Sequence, residues 1–443
     1  RTRATPSLRR AAFVCRGEAD YRPLFLMTRC RGRAIYENNP HHSRPDDSFL
    51  QLDHPGIWCA AASALRGIPR GLCVFTREGA HSRPRILFHE DITGHEITQT
   101  LLNEVLRCEN IELREHTTLL DFFADASACG GVIAAGPDGE PRAIGAGAVV
   151  LACGGIGGLY KNSTNFPHIT GDAIAMALRH GVACEHLDYI QIHPTTLYSH
   201  RKGRRFLISE SVRGEGALLL DKNGNRFTNE LQPRDVVSAA IRAQMEKDGT
   251  DHVWEDMRPI GEAAIREHFP NILERCEEEG YDPIHEPIPV VPAQHYFMGG
   301  ITADLSSRTA LPRLYACGET CCNGVHGRNR LASNSLLEAL VFSHRAADEI
   351  NRLAQQEQIS PVPAEFPEIQ NALPLPAGIR TETRAIMQRA YFITPNQQEI
   401  VNGYERVCAL KKQLETTPYR IDRDYVEAKS LVTVAYIILK ELL

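Results

Sequence analysis

Apolar residues recur at helical spacing in the last part of the chain and predict three consecutive helices. The clearest stripe lies within 396–416 and consists of Ile400, Tyr404, Val407, Leu410 and Leu414. Two further helices are predicted at about 379–393 and 422–443. Because such a stripe is typical of a helix packed into a core, residues 377–443 are predicted to form a small helical bundle.

Another helix is predicted directly after a polar stretch that is rich in arginine and asparagine, residues 326–334. Its apolar face contains Leu336, Leu337, Leu340 and Val341. Asn334 or Ser335 can cap this helix, and its start offers free N–H groups and the positive end of a dipole. The pattern suits a bound anionic group, but a polar loop that only caps a core helix explains it equally well.

Two apolar runs lead into glycine and predict buried strands of a parallel sheet. Residues 148–152 run into the glycine-rich loop 154–158, and residues 314–317 run into Gly318 and Glu319. Strand, glycine, acidic residue, loop and helix follow in the order expected where a dinucleotide meets the carboxyl edge of a sheet. The fold class is therefore predicted to be α/β and Rossmann-like.

The same patterns predict the organisation of the chain. Two nucleotide-binding portions, 71–187 and 297–360, flank a long insertion at 188–296, and five prolines within 360–376 predict a linker. Residues 1–70 hold twelve arginines and no lysine and show no sustained periodicity, and no G-x-G-x-x-G sequence opens the chain. We therefore expect an atypical first segment, misread or lacking the N-terminal portion of the nucleotide-binding domain.

Composition narrows the class of protein further. The chain has 443 residues, with 49 basic and 55 acidic side chains and a net charge of -6, which argues against a nucleic-acid-binding surface. Its 13 cysteines include no C-x-x-C pair, and this usage suits a reducing compartment, so a cytoplasmic protein is expected. The longest uncharged run, 143–160, contains six glycines, so no membrane helix is expected.

Two arginines and two histidines are typical of a site for a small dicarboxylate: Arg234, Arg330, His193 and His295. An arginine fork can bind a carboxylate through two hydrogen bonds. Each residue alone has an ordinary structural explanation, since a lone histidine is usually structural and Asp235 suits a helix start. Together, and framed by glycine loops, the four residues favour a dicarboxylate site.

Several segments resemble L-aspartate oxidases, FAD enzymes of the succinate dehydrogenase and fumarate reductase flavoprotein group. The resemblance covers about residues 70–440 and is carried by 77–82, 170–172, 193–195, 213–216, 233–235, 292–300 and 326–340. It implies a Rossmann-like FAD-binding domain, an inserted α+β capping domain at 188–296 and a C-terminal helical bundle.

The resemblance also implies an activity and roles for particular residues. The reaction would be oxidation of L-aspartate to iminoaspartate, with oxygen or fumarate as electron acceptor. This is the first step of de novo NAD biosynthesis, and quinolinate synthase uses the product. Arg234 matches the catalytic arginine, and Glu78 matches the glutamate that orients the substrate amino group. The remaining substrate-binding positions are His193, Ser209, His295 and Arg330, and the FAD-contacting positions are Asp172, Glu319, Ser335 and Leu336.

Two alternatives remain open at this stage. One is a flavoprotein like fumarate reductase or succinate dehydrogenase, in which Glu78 would have no amino group to bind. The other is a non-catalytic fragment that cannot bind FAD, because the N-terminal phosphate-binding loop is not recognisable in residues 1–70.

Overall fold

The structure is a computed structural model that describes residues 12–14, 24–25, 75–76, 78, 80–125, 127–356 and 372–443. Its strands are β1 Ala12–Val14, β2 Leu24–Phe25, β3 Phe75–Thr76, β4 Ile86–Leu87, β5 Leu113–Arg114, β6 Thr118–Ala124, β7 Cys129–Ala135, β8 Pro141–Gly145, β9 Val149–Leu151, β10 Cys184–Glu185, β11 Ile190–Leu197, β12 Leu218–Leu220, β13 Val253–Asp256, β14 Ile288–Phe297, β15 Gly300–Thr302, β16 Leu314–Ala316 and β17 Cys321–Cys322.

Its α-helices are α1 Thr93–Arg107, α2 Asp172–Arg179, α3 Glu210–Gly214, α4 Arg234–Asp248, α5 Glu262–His268, α6 Pro270–Glu278, α7 Asn334–Gln356, α8 Ile379–Ala390, α9 Gln397–Thr416 and α10 Arg423–Leu442. Short 3-10 turns lie at Gly157–Leu159, Arg258–Ile260 and Gly318–Thr320. None of the helices within the described ranges is long and apolar enough to cross a lipid bilayer.

The predicted parallel strands pair with each other. Strand β9 runs parallel to β16, with Val149 opposite Leu314, and each strand leads into a glycine turn. Because parallel strands end at the same edge of a sheet, the loop at 154–158 and residues 318–319 lie side by side. A second parallel contact joins β1 to β5, so this part of the predicted atypical segment is a strand. Strand β2, Leu24–Phe25, pairs antiparallel with β1, and the other residues of that segment fall outside the described residues.

The insertion is built on an antiparallel sheet with the strand order β11-β14-β13-β12. Helices α3–α6 lie between its strands in the sequence. Its buried apolar residues form a cluster of their own, which includes Leu197, Val237, Ile241, Ile272 and Val290. This separate core is what an independent capping domain needs, and the domain boundaries stay a prediction.

The three predicted C-terminal helices are confirmed as α8, α9 and α10. The apolar stripe predicted for α9 is buried at Ile400, Val407, Leu410 and Leu414. Their side chains share one core with the α/β part, because α10 packs along α2. Asn396 and Asp422 accept hydrogen bonds from the first turns of α9 and α10, which fixes where these helices begin.

Candidate active site

Arg234, the first residue of α4, lies at the centre of the candidate site. Its buried guanidinium donates from Nε to Oε2 of Glu210 at 2.6 Å and from Nη1 to Oε1 of Gln191 at 2.8 Å. Burial works to raise the pKa of Glu210, but the charges of Arg234 and Arg213 outweigh it and hold that pKa below its usual value. Glu210 is therefore a carboxylate at neutral pH and fixes the orientation of the Arg234 guanidinium.

Gln191 joins this arginine to the second one. While its Oε1 accepts from Arg234, its Nε2 donates to the backbone oxygen of Arg330 at 2.6 Å. The Arg330 guanidinium carbon lies 4.5 Å from the centre of the Tyr296 ring, and Nη1 donates to Oγ of Ser335 at 3.2 Å. Burial and the charge of Arg234 lower the pKa of Arg330 to about 10, which still leaves the side chain charged at neutral pH.

Two irregularities between neighbouring strands bring a pair of histidines to the same place. The register of β11 and β14 shifts between Gln191 and Ile192, which leaves His295 as an extra residue on β14. It shifts again directly after His193, where Pro194 has no N–H to donate. The two imidazole centroids are 5.1 Å apart.

Both histidines are neutral at pH 7. Burial, and next the charge of Arg234, hold the pKa of each well below its usual value. Nδ1 of His295 lies 2.9 Å from Oγ1 of Thr164. Nδ1 of His193 lies 2.9 Å from the backbone oxygen of Thr195 and 3.2 Å from its nitrogen. Nε2 of His193 is buried without a hydrogen-bond partner among the described residues, so this atom remains for a ligand.

Glu78 adds a carboxyl group beside these cations. Its Oε2 accepts a hydrogen bond from Oγ of Ser333 at 2.7 Å. Burial raises the pKa of Glu78, the Ser333 hydroxyl opposes this, and the charges of Glu210, Arg234 and Arg330 act on it as well. The site therefore combines two fixed positive charges, two neutral histidines and one titratable carboxyl group.

Glu319 lies at the neighbouring edge, where β9 and β16 end. Its Oε1 accepts from the backbone N–H of Phe297 at 3.0 Å, and burial raises its pKa to about 8. Only a glycine fits at Gly155, because a Cβ there would lie 2.6 Å from Glu319 Oε1 and 2.9 Å from Phe297 Cβ. Helix α7 begins close by at Asn334, so the predicted Ser335 and the partly exposed Leu336 lie in its first turn.

The remaining two predicted positions, Ser209 and Asp172, each lie at the start of a helix. Ser209 caps α3 by accepting a hydrogen bond from the N–H of Ser211, directly before Glu210. Asp172 begins α2 and accepts from Oγ1 of Thr170 at 2.7 Å. Burial raises its pKa to about 6, and its charged neighbours are Glu427 and Arg179. Asp172 therefore lies beside α10, and its predicted contact with FAD stays a prediction.

Sequence reasoning missed the residues that hold the two arginines. Glu210 and Gln191 were not predicted, and neither was the hydrogen bond from Tyr296 to Oε2 of Glu338 at 2.7 Å. Only Glu210 had a readable signal, because Glu210 and Arg213 are three residues apart on one helical turn.

Comparisons with known proteins agree with this geometry. The family described as FAD binding domain matches residues 49–336, more than half of the chain. An L-aspartate oxidase from Clostridium perfringens is 52% identical over 279 residues, which are 63% of this chain and 63% of that protein. L-aspartate oxidase 1 from Ralstonia nicotianae is 38% identical over 385 residues, 82% of this chain and 72% of that protein.

Among solved structures, a mutant of the E. coli quinol fumarate reductase FrdA superposes with a TM-score of 0.76 at 28% identity. The match covers 88% of this chain and 75% of that chain. The fold and the paired glycine turns are thus those of an FAD-binding flavoprotein. Within that class, the chain belongs to the L-aspartate oxidase family. It spans about 63% of the length of the first relative named above.

FAD is the cofactor that this family implies, and the described residues fit its flavin half. The cradle at the two strand ends depends on Gly155, which lets the Glu319 carboxyl group and Phe297 pack directly against the backbone. Glu319 offers a buried carboxyl group, and the start of α7 offers N–H groups to an anionic ring edge.

Proposed function

We propose that the chain catalyses the FAD-dependent oxidation of L-aspartate to iminoaspartate, with oxygen or fumarate as electron acceptor. The observation that carries the proposal is the position of Glu78 within electrostatic reach of both Arg234 and Arg330. A molecule with two carboxylates and one amino group matches this arrangement, because every charge it carries meets an opposite or hydrogen-bonding partner.

The two arginines would bind the carboxylates, and the histidines would add neutral donors. When Nδ1 of His193 accepts from the Thr195 N–H, Nε2 carries the proton and donates to a carboxylate oxygen. The contacts of the two arginines with the two carboxylates would also orient the substrate, since a bidentate arginine fork allows little rotation. Ser209 would contribute through its place beside Glu210.

Glu78 would accept hydrogen bonds from the substrate amino group. It is the only carboxyl group of the predicted substrate-binding set. Burial raises its pKa, and a substrate ammonium group beside it would lower that pKa and favour the ionised form. Bound FAD would supply an acceptor for the hydride that leaves the substrate Cα. The residues of this chain would hold Cα in place by binding the two carboxylates and the amino group.

Arg234 would act mainly as an electrostatic clamp in the oxidative direction. An arginine side chain is protonated at neutral pH, so it is a poor base there. In fumarate reduction the same guanidinium would donate a proton to carbon and would regain one from solvent, with the Glu210 carboxylate at 2.6 Å as the hydrogen-bond partner that relays it. This buried pair is the observation that favours the second candidate, a flavoprotein like fumarate reductase.

Three further assignments are part of the proposal. The product would enter de novo NAD biosynthesis, where quinolinate synthase uses it, and the reaction would take place in the cytoplasm. These follow from the family resemblance of the motifs around Arg234 and Arg330.

The proposal is tested by adding FAD to the purified chain and then titrating it with L-aspartate without oxygen. We expect a yellow protein whose flavin absorbance bleaches with L-aspartate and returns with fumarate or oxygen. Yellow protein that bleaches with succinate but not with L-aspartate would favour the fumarate reductase reading. Protein that takes up no flavin would favour the non-catalytic fragment.

A further inference from the structure

A carboxyl group lies in the core of the capping domain without any bonding partner. Glu255 is the third residue of β13, and its side chain points to the same face as that of Val253, a member of the apolar cluster. The residue is fully buried, and neither of its carboxyl oxygens has a hydrogen-bond partner among the described residues. An unpaired buried polar group destabilises a fold, so its presence needs a reason.

Arg213 is a buried cation of the same domain whose hydrogen-bond donors are only partly used. Its guanidinium donates from Nη1 to the backbone oxygen of Glu230 at 2.6 Å, and Nη2 lies 3.8 Å from Oε1 of Glu210. Nε and Nη2 have no hydrogen-bond partner in the part of the chain that the structure describes. Glu255 pairs across the strands with Leu219, whose N–H donates to Oε1 of Glu230, and Arg213 donates to the backbone oxygen of the same Glu230. Arg213 and Glu255 therefore both lie beside Glu230, and their charges attract each other.

Two other titratable groups face Glu255. The carboxylate of Glu230 is already occupied, because it accepts from the N–H of Leu219 and from Arg226. The thiol of Cys276, on α6, is neutral because burial raises its pKa to about 12. Arg213 is therefore the group with free donors that faces Glu255.

We propose that one buried water joins Glu255 to Arg213, and that Glu255 is a positioning residue for the Arg213–Glu210–Arg234 line of the active site. A water needs two to four polar partners in a site of this kind, and the two free nitrogens and two free oxygens supply them. The effect of Glu255 on ligand binding rests on the proposed function, whereas the water between Glu255 and Arg213 does not.

Glu255 acts on the active site through charge. Burial raises its pKa to about 8, against the charge of Arg213, so the group is neutral at pH 7 and ionises at mildly alkaline pH. In the neutral form, the positive charge of Arg213 is balanced by Glu210 and Glu230. Ionised Glu255 competes with Glu210 for Arg213 and so leaves more of the Glu210 charge acting on Arg234. Dicarboxylate binding therefore weakens as pH rises through about 8.

The experiment uses Glu255→Gln, which keeps the shape but cannot ionise, and the exposed Glu262→Gln as a matched control. Succinate affinity of the FAD-loaded chain is measured from pH 6 to pH 9.5. We expect the dissociation constant of the wild-type chain and of the control to rise roughly three- to tenfold across pH 8. The Glu255→Gln variant should lack this step. An identical pH profile in all three proteins would overturn the proposal.

A second readout needs neither activity nor FAD. The infrared spectrum at pH 7 should contain the carbonyl stretch of protonated buried carboxyl groups, to which Glu319 also contributes. The difference between the spectra of the wild-type chain and Glu255→Gln should therefore contain one carbonyl band that fades above pH 8. A difference band with no succinate binding in any variant would mean that the proposed function has failed while Glu255 titrates as inferred. If the difference band is missing at pH 7, Glu255 is ionised and the proposal is wrong.

Discussion

The amino group of the substrate is assigned to one side chain, and Glu78→Gln tests that assignment. Glutamine keeps the acceptor that Ser333 uses at 2.7 Å, so the local structure should persist. What disappears is the negative charge opposite the substrate ammonium. The change therefore separates recognition of an amino group from recognition of carboxylates.

The size of the effect follows from the burial of Glu78 and the charge of its ligand. A hydrogen bond to a charged group contributes about 1.5–3 kcal/mol, and 1.4 kcal/mol corresponds to a factor of ten. We therefore expect kcat/KM for L-aspartate to fall by roughly 10- to 150-fold in Glu78→Gln. Fumarate reduction should change by less than about threefold, because Arg234 and Arg330 remain.

The assay compares oxygen uptake with L-aspartate and fumarate reduction with a reduced viologen dye in the same preparations. Exposed Glu112→Gln serves as the matched control. The pKa of Glu78 is raised by burial, so in the wild-type chain the L-aspartate reaction should gain activity as pH rises through that pKa, and the variant should not. Equal losses of both reactions in Glu78→Gln would refute the assignment.

Three other changes test the structure around the site. Gly155→Ala places a Cβ 2.6 Å from Glu319 Oε1, so FAD affinity should fall at least about tenfold in a flavin fluorescence titration; unchanged affinity would remove Gly155 from the cofactor cradle. Glu319→Gln removes a carboxyl group whose pKa is about 8 in the folded chain and 4.5 when the group is exposed to solvent. Because the buried group resists ionisation, it destabilises the folded wild-type chain as pH rises from 4.5 to 8. Urea unfolding of the FAD-free variant should then show a gain of up to about 3 kcal/mol at pH 7 over pH 4, relative to wild type, and no pH-dependent difference would contradict the burial of Glu319. Leu431→Ala, at a fully buried position of α10, should cost about 2–5 kcal/mol in unfolding without changing KM for L-aspartate, and a cost below 1 kcal/mol would mean that α10 does not share the core.

The elements that were predictable are those with a strong period. The stripe from Ile400 to Leu414 gave α9 within a residue or two, because one apolar face must be buried along the whole helix. The strands before Gly154 and Gly318 were predictable for a similar reason, since short apolar runs that end in glycine fit a buried parallel strand.

The contacts that hold the site were not predictable from local pattern. The hydrogen bond from Arg234 to Glu210 joins residues that are 24 apart, and the one from Gln191 to Arg330 spans 139 positions. The side chain of His295 is aimed by a shift in strand register, which depends on the partner strand β11 and leaves no trace in the sequence of β14 alone.

Glu255 is a residue whose burial could not be predicted from the alternation of residues along its strand. Alternating residues in a strand point to opposite faces, and a glutamate is normally read as marking the solvent face. Here the glutamate lies on the same face of β13 as the core residue Val253, and only the fold shows that Arg213 is the cation that acts on it.

The central claim is that one buried site binds both carboxylates of a small dicarboxylate and places the substrate amino group beside Glu78. The most direct measurement is a crystal structure of the FAD-loaded chain with bound succinate, which lacks the amino group. We expect the two carboxylates of succinate to lie within hydrogen-bond distance of Arg330, Arg234 and the rings of His193 and His295. One methylene group should face Glu78. Succinate bound elsewhere, or bound with Glu78 far from either methylene, would contradict it.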